Sequence, residues 1–129
     1  MKRSGILNAE LNWHLSTLGH TDTVVVADCG LPQPLGVPVV DLAVVFGVPS
    51  FEAVLRAIAA EIVVENAIIA SESVERNPTV GHLVESLCGS PSLVTHEEFK
   101  LRCAEARLLI RTGEATPYAN VILHCGVPF

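Results

Sequence analysis

A layered α/β domain around a mostly parallel sheet is the fold class this sequence predicts, on three observations. Short runs rich in valine and isoleucine, as in TDTVVVADC and VVENAIIAS, read as strands buried on both faces. Amphipathic segments that open on capping residues alternate with those runs. No linker, repeat or low-complexity tract divides the 129 residues, so one domain over 1–129 with a single sizeable core is expected.

The first helix is expected over AELNWHLSTL (9–18), capped by Asn8, with Leu11, Leu15 and Leu18 on one face and Gly19 closing it. TDTVVVADC (21–29) follows as a buried strand. LPQPLGVP (31–38) is a loop, because its prolines remove backbone donors and fix φ. DLAVVFG (41–47) reads as a second strand. Ser50 caps a helix over SFEAVLRAIAAE (50–61), whose Phe51, Val54, Leu55 and Ile58 form an apolar stripe. VVENAIIAS (63–71) is the third strand. Asn77-Pro78 opens another helix, with proline where its missing N–H is harmless. LVT (93–95) is a brief strand. Thr95 and Glu98 make a capping-box pattern for a helix over HEEFKLRCAEARLLI (96–110), where Phe99, Cys103, Ala106 and Ile110 recur at helical spacing and Gly113 lies near the end. ANVILHC (119–125) closes the sheet.

Half the residues are hydrophobic and 17% are charged, an excess of apolar surface that points to subunit interfaces. Eight Lys/Arg against fourteen Asp/Glu give a net charge of −6, which disfavours nucleic-acid partners. The most apolar stretches are broken by Asp41, Pro49, Glu65 and Asn66, so no membrane span is expected. MKRSGILNAELNWH lacks an apolar signal core, and Cys29, Cys88, Cys103 and Cys125 are scattered without a CxxC pair. These features fit a reducing cytoplasm with thiols packed as small hydrophobes.

His20 is the histidine best placed for chemistry, between a helix end and a buried strand, with Asp22 and Asp28 nearby. Imidazole gives and accepts protons near neutral pH. A helix-capping role fits His20 as well, and a turn-forming role before Cys29-Gly30 fits Asp28. His96 stands in a first helical turn. Tyr118 and Asn120, in GEATPYAN, offer an aromatic face, a hydroxyl and an amide, groups that suit a polyhydroxylated ligand. Ser50 has no base beside it, and no GxGxxG or GxxxxGK[ST] pattern cradles a nucleotide. The spacing of His20, Asp22 and Asp28 is poor for a metal, and none is expected.

Taken together, LNAELNWHLSTLGHTDTVVVADCGLP, VPSFEAVL, THEEF and GEATPYANVIL resemble the D-ribose pyranase family, sugar mutarotases associated with ribose uptake. The resemblance runs from MKRSGILN to HCGVPF. It implies an α/β sandwich assembled into rings, pentamers paired as decamers, that interconverts pyranose and furanose D-ribose without a cofactor. By position the family's proton-donating histidine falls on His20 in LGHTDT, and its first substrate-binding aspartate on Asp28 in VADCGLP. A second histidine falls on His96 in THEEF, and the YAN substrate segment on Tyr118, Ala119 and Asn120. The stretch before LVTHEE is shorter than in many relatives, and GVPF stands where GVTF is common. L-fucose mutarotases, with motifs nearer GHGDE, DAHFP and KYGN, are the closest alternative. A non-catalytic sugar-binding adaptor of a ribose transport system would keep Asp28 and the Tyr118 segment but have no use for a titrating His20. Both polar ends of the valine strand are expected to rim a sugar site, with Tyr118 and Asn120 reaching across a subunit interface toward the adjacent chain's His20 and Asp28.

Overall fold

Side chains along Val24–Val25–Val26–Ala27 alternate between two faces of a sheet, and all four are fully buried. Such a run requires cover on both faces. The computed structural model, which describes residues 1–129, supplies it. The elements run α1 (Ala9–Ser16), β1 (Thr23–Ala27), β2 (Val39–Asp41), α2 (Phe51–Ala59), β3 (Val64–Ala70) and α3 (Ser73–Arg76). They continue as α4 (Pro78–Cys88), β4 (Ser92–Val94), α5 (His96–Cys103), β5 (Leu108–Arg111) and β6 (Val121–Cys125).

All strands join one sheet in the order β2-β5-β1-β6-β3-β4. The pairs β1/β5, β2/β5 and β3/β4 are parallel, whereas β6 lies antiparallel between β1 and β3. Five strands therefore point one way and β6 points the other. On one face Val24, Val26, Ile110 and Leu123 pack with Leu11 of α1, Leu55 of α2 and Val84 of α4. On the other, Val25, Leu109 and Ile122 pack with Phe99 and Cys103 of α5. The result is a helix–sheet–helix sandwich.

The three N-caps form as expected, but α1 ends at Ser16 with Thr17 as its C-cap, two residues before the Gly19 expected to close it. Asn8 Oδ1 accepts from the Leu11 N–H at 2.8 Å, Ser50 Oγ from Ala53 at 3.1 Å, and Thr95 Oγ1 from Glu98 at 3.2 Å. The Glu98 carboxylate turns away from the cap and accepts from Arg102 Nε at 2.9 Å. Asn77 stands at the cap position of α4 but makes no capping bond; its amide binds the loop before β6 instead.

Two expected elements are corrected. The helix foreseen over 96–110 ends at Cys103, and Leu108–Arg111 is a strand parallel to β1. A short apolar run such as LLI suits a buried helix or a buried strand equally, and here the central strand takes it as a partner. The strand foreseen over 41–47 is Val39–Asp41. Past Asp41 the chain leaves the sheet as a turn with a Val45–Val48 bridge, and Val44, Val45 and Phe46 are exposed. Gly113 holds that turn close: a Cβ there would lie 2.3 Å from the Val48 carbonyl oxygen. The one-turn helix α3 was not foreseen.

Candidate functional site

Because five strands run the same way, their carboxyl ends share one rim, and antiparallel β6 begins at that rim. Asp28 follows β1, Glu72 follows β3, His96 follows β4, Glu114 follows β5, and Tyr118–Asn120 leads into β6. Ligand groups collect at such strand ends in α/β sheets.

The register Val26↔Val121 sets Asn120 beside the end of β1. The Asp28 N–H donates to Asn120 Oδ1 at 2.8 Å, and Asn120 Nδ2 donates back to Asp28 Oδ2 at 2.8 Å. Asp28 Oδ1 also accepts from the Gly30 N–H at 2.9 Å, so the turn-forming reading of Asp28 holds too. The following peptide is pinned from β5: Arg111 Nε donates to the Cys29 carbonyl at 3.1 Å while its Nη1 grips both Asp41 oxygens. Asn120 is buried, which makes this exchange rigid. It joins Asp28 and Asn120 within one chain, so the expected pairing of these two across an interface is corrected.

Glu72 receives the His96 N–H on both carboxylate oxygens, at 2.9 and 3.1 Å. That bond first, and the Glu72 backbone N–H second, hold its carboxyl below the ordinary 4.5. The His96 ring meets Tyr118 edge-on at 5.1 Å, and its Nδ1 is buried without a hydrogen-bond partner in the chain. Buried polar atoms of that kind are uncommon and mark places where a further group belongs.

Tyr118 adopts a left-handed φ of 58°, and its hydroxyl accepts from Arg76 Nη1 at 3.3 Å. Glu114 shapes its loop: Oε1 accepts from the Ala115 and Thr116 N–H groups, and Oε2 from the Phe51 N–H at the start of α2. Asn77 Nδ2 ties the loop to α4 through the Pro117 carbonyl at 2.8 Å. Ala119 is buried in the core and offers the rim its backbone alone. An open cleft of about 320 Å³ lies between Asp28–Gly30, Phe46 and residues 114–117.

His20 is elsewhere. It precedes β1, whereas Asp28 follows it, and five strand residues at about 3.3 Å each separate the two by roughly 17 Å. The reading of both ends of the valine strand as one rim is therefore corrected for a single chain. His20 sits in a turn closed by the Asp22 N–H on the Gly19 carbonyl, with Asp22 Oδ2 accepting from the Gly19 N–H at 2.8 Å and Thr21 at φ 71°. Asp22 is thus a turn residue, and it does not converge with His20 and Asp28. Beside His20 lies a groove of about 610 Å³ lined by Leu15, Leu18, Ile62, Val63, Val127 and Phe129.

Glu72, Arg76, Arg111 and Glu114 escaped the sequence reading. Each follows or ends a strand, or packs on a loop that does, and the strand-end rule was the available signal. The thiols are as packed as foreseen at Cys103 and Cys125, while Cys29 and Cys88 are half-buried. Burial pushes the Cys103 thiol up to about 12 and also raises Cys88 and Cys125.

A carboxylate–carboxamide pair, an imidazole with an unpartnered nitrogen and a phenol stand at the carboxyl edge of one sheet, which defines an α/β protein with a polar strand-end site. The chain belongs to the RbsD / FucU transport protein family, whose model matches residues 1–128. It is 57% identical over 129 residues to D-ribose pyranase 1 of Rubrobacter xylanophilus, covering all of both chains. It superposes on Bacillus subtilis RbsD complexed with D-ribose with a TM-score of 0.95, at 45% identity and full coverage of both chains. The fucose mutarotase of Streptococcus pneumoniae in complex with L-fucose, 20% identical with a TM-score of 0.83 over the whole of both chains, shares the fold.

Proposed function

We propose that this chain is an intramolecular isomerase that interconverts the pyranose and furanose forms of D-ribose, at sites completed by a second copy of itself. The relatives named D-ribose pyranase support the activity. The observation that carries the shared site is the placement of His20 and Asp28 at opposite ends of β1. A ribopyranose opens when a proton reaches the ring oxygen and another leaves the anomeric hydroxyl; the furanose closes by the reverse on another hydroxyl. Only protons move, so placed donors and acceptors suffice. Asp28, His96, Tyr118 and Asn120 of one copy bind sugar hydroxyls, the backbone at Ala119 lines them, and His20 of the adjoining copy protonates the ring oxygen.

Oligomerisation accounts for what a lone chain leaves open. Phe46, Val44 and Phe129 are exposed, and the groove beside His20 is largely apolar. The assembly we propose is a cytoplasmic homodecamer of paired pentamers, the form that the family resemblance implies. No helix is long and apolar enough to cross a membrane.

Saturation-transfer NMR on equilibrated ribose tests the activity: exchange between pyranose and furanose signals accelerates with the isomerase and stays at its spontaneous rate with a binding adaptor. L-fucose should exchange more slowly than D-ribose, and the opposite preference would move the chain to the fucose branch. Mixing His20→Ala and Asn120→Ala proteins under subunit exchange tests the sharing. Random heterologous interfaces restore about a quarter of wild-type exchange. A mixture as inactive as its parents would place every site within one chain.

A further inference from the structure

Glu65 interrupts an apolar run, and the strand is deformed at that residue. β3 pairs with β6 as Val64↔Cys125 and then Asn66↔His124, so Glu65 is the extra residue of a β-bulge. Bulges re-aim a side chain that the regular pleat would send elsewhere. Here the Glu65 carboxylate meets the His20 turn: Oε2 lies 3.3 Å from His20 Nε2. The opposite strand leaves room for this. Gly126 follows β6, and a Cβ on it would come within 3.3 Å of the Glu65 Cβ. A tight turn closed by Asp22, a bulge in β3 and a glycine beyond β6 thus converge on one imidazole–carboxylate pair.

We propose that Glu65 is a positioning residue for His20, accepting the Nε2–H and leaving Nδ1 to carry the proton exchanged with the sugar. The inference rests on the reading of His20 as proton donor. In the step it serves, imidazolium Nδ1–H passes its proton to the ring oxygen as the C1–O bond breaks with its electron pair to that oxygen, and the anomeric O–H gives its proton to water as the aldehyde forms. What remains is neutral imidazole with hydrogen on Nε2, the tautomer that Glu65 already binds. Glu65 itself gains no proton; its charge selects tautomer and ring orientation. The pair is half exposed in one chain, with side-chain exposures of 51% and 62%, where such an interaction holds geometry weakly. Cover by the adjoining copy excludes water and strengthens it.

Glu65→Ala, His20→Ala and the double variant test this, with ribose exchange followed against ribose concentration and the His20 tautomer read from imidazole ¹⁵N NMR. Because the Glu65 side chain is largely exposed, its removal leaves the core intact, and light scattering checks the assembly. Expected are a ~10-fold lower kcat for Glu65→Ala with KM unchanged, loss of the Nε2–H preference of His20, and a double variant no slower than His20→Ala alone. An unchanged kcat, a rise in KM alone, or an equal loss in the His20→Ala background would overturn it. If His20→Ala keeps full exchange, the donor reading fails while the tautomer signal still decides whether Glu65 orients the ring.

Discussion

The two ends of β1 are built on different principles. At its carboxyl end Asp28 and Asn120 exchange two hydrogen bonds, Asn120 is buried, and Arg111, Glu72 and Glu114 brace the surrounding loops. At its amino end a four-residue turn presents His20 to solvent, paired with a single exposed carboxylate. One end is finished within the chain; the other presents a group outward beside an apolar groove. Binding geometry gains from rigidity, since fixed donors and acceptors need no ordering when the ligand arrives. In the proposed shared site, the turn closed by Asp22 and the pairing with Glu65 set the geometry of His20.

The sharpest way to test that contrast is His20→Ala. Ribose exchange should fall by about 100-fold or more, the range of general acid catalysis, with no change in the thermal midpoint. A drop in the midpoint comparable to that of a rim variant would erase the distinction. Asn120→Ala is the counterpart: it strips the Asp28 N–H of its buried partner and should cost about 2 kcal/mol besides activity. Calorimetry should register this as a midpoint lowered by roughly 8 °C. The smallest effect is at Glu72, whose folded carboxyl lies below the ordinary 4.5. A depressed value adds stability that is full above about 4.5 and fades as pH falls through the folded value. The thermal advantage of wild type over Glu72→Gln should therefore shrink on acidification below pH 4.5, and a constant gap across that range would break the assignment.

The sequence shows some of this directly. Asn8, Ser50 and Thr95 are readable as caps because their signal lies within four residues. The valine run is readable as a strand because three β-branched residues in a row fit a sheet covered on both faces. Leu108–Ile110 is not readable, since the choice between helix and strand fell to β1, some eighty residues upstream. The site divides the same way. Asp28, His96, Tyr118 and Asn120 emerge from motif resemblance, and the structure brings these four to one rim. That His20 lies apart, or that Glu72 and Glu114 brace the loops, depends on which strand ends are neighbours, and strand order is a property of the completed sheet.

The reversed strand β6 has a further consequence for how the chain is made. It is the last strand in sequence, yet it stands third from the edge and alone joins β2-β5-β1 to β3-β4. Val24 and Leu123, register partners at its seam, lie about three-quarters of the chain apart. Until Cys125 has been made, β1 and β3, rich in valine and isoleucine, lack the strand that pairs between them. Pairings so distant make for slow folding and a period of vulnerability to aggregation. Because Asn120 leads into β6, its pairing with Asp28 forms only in a chain whose sheet has already closed.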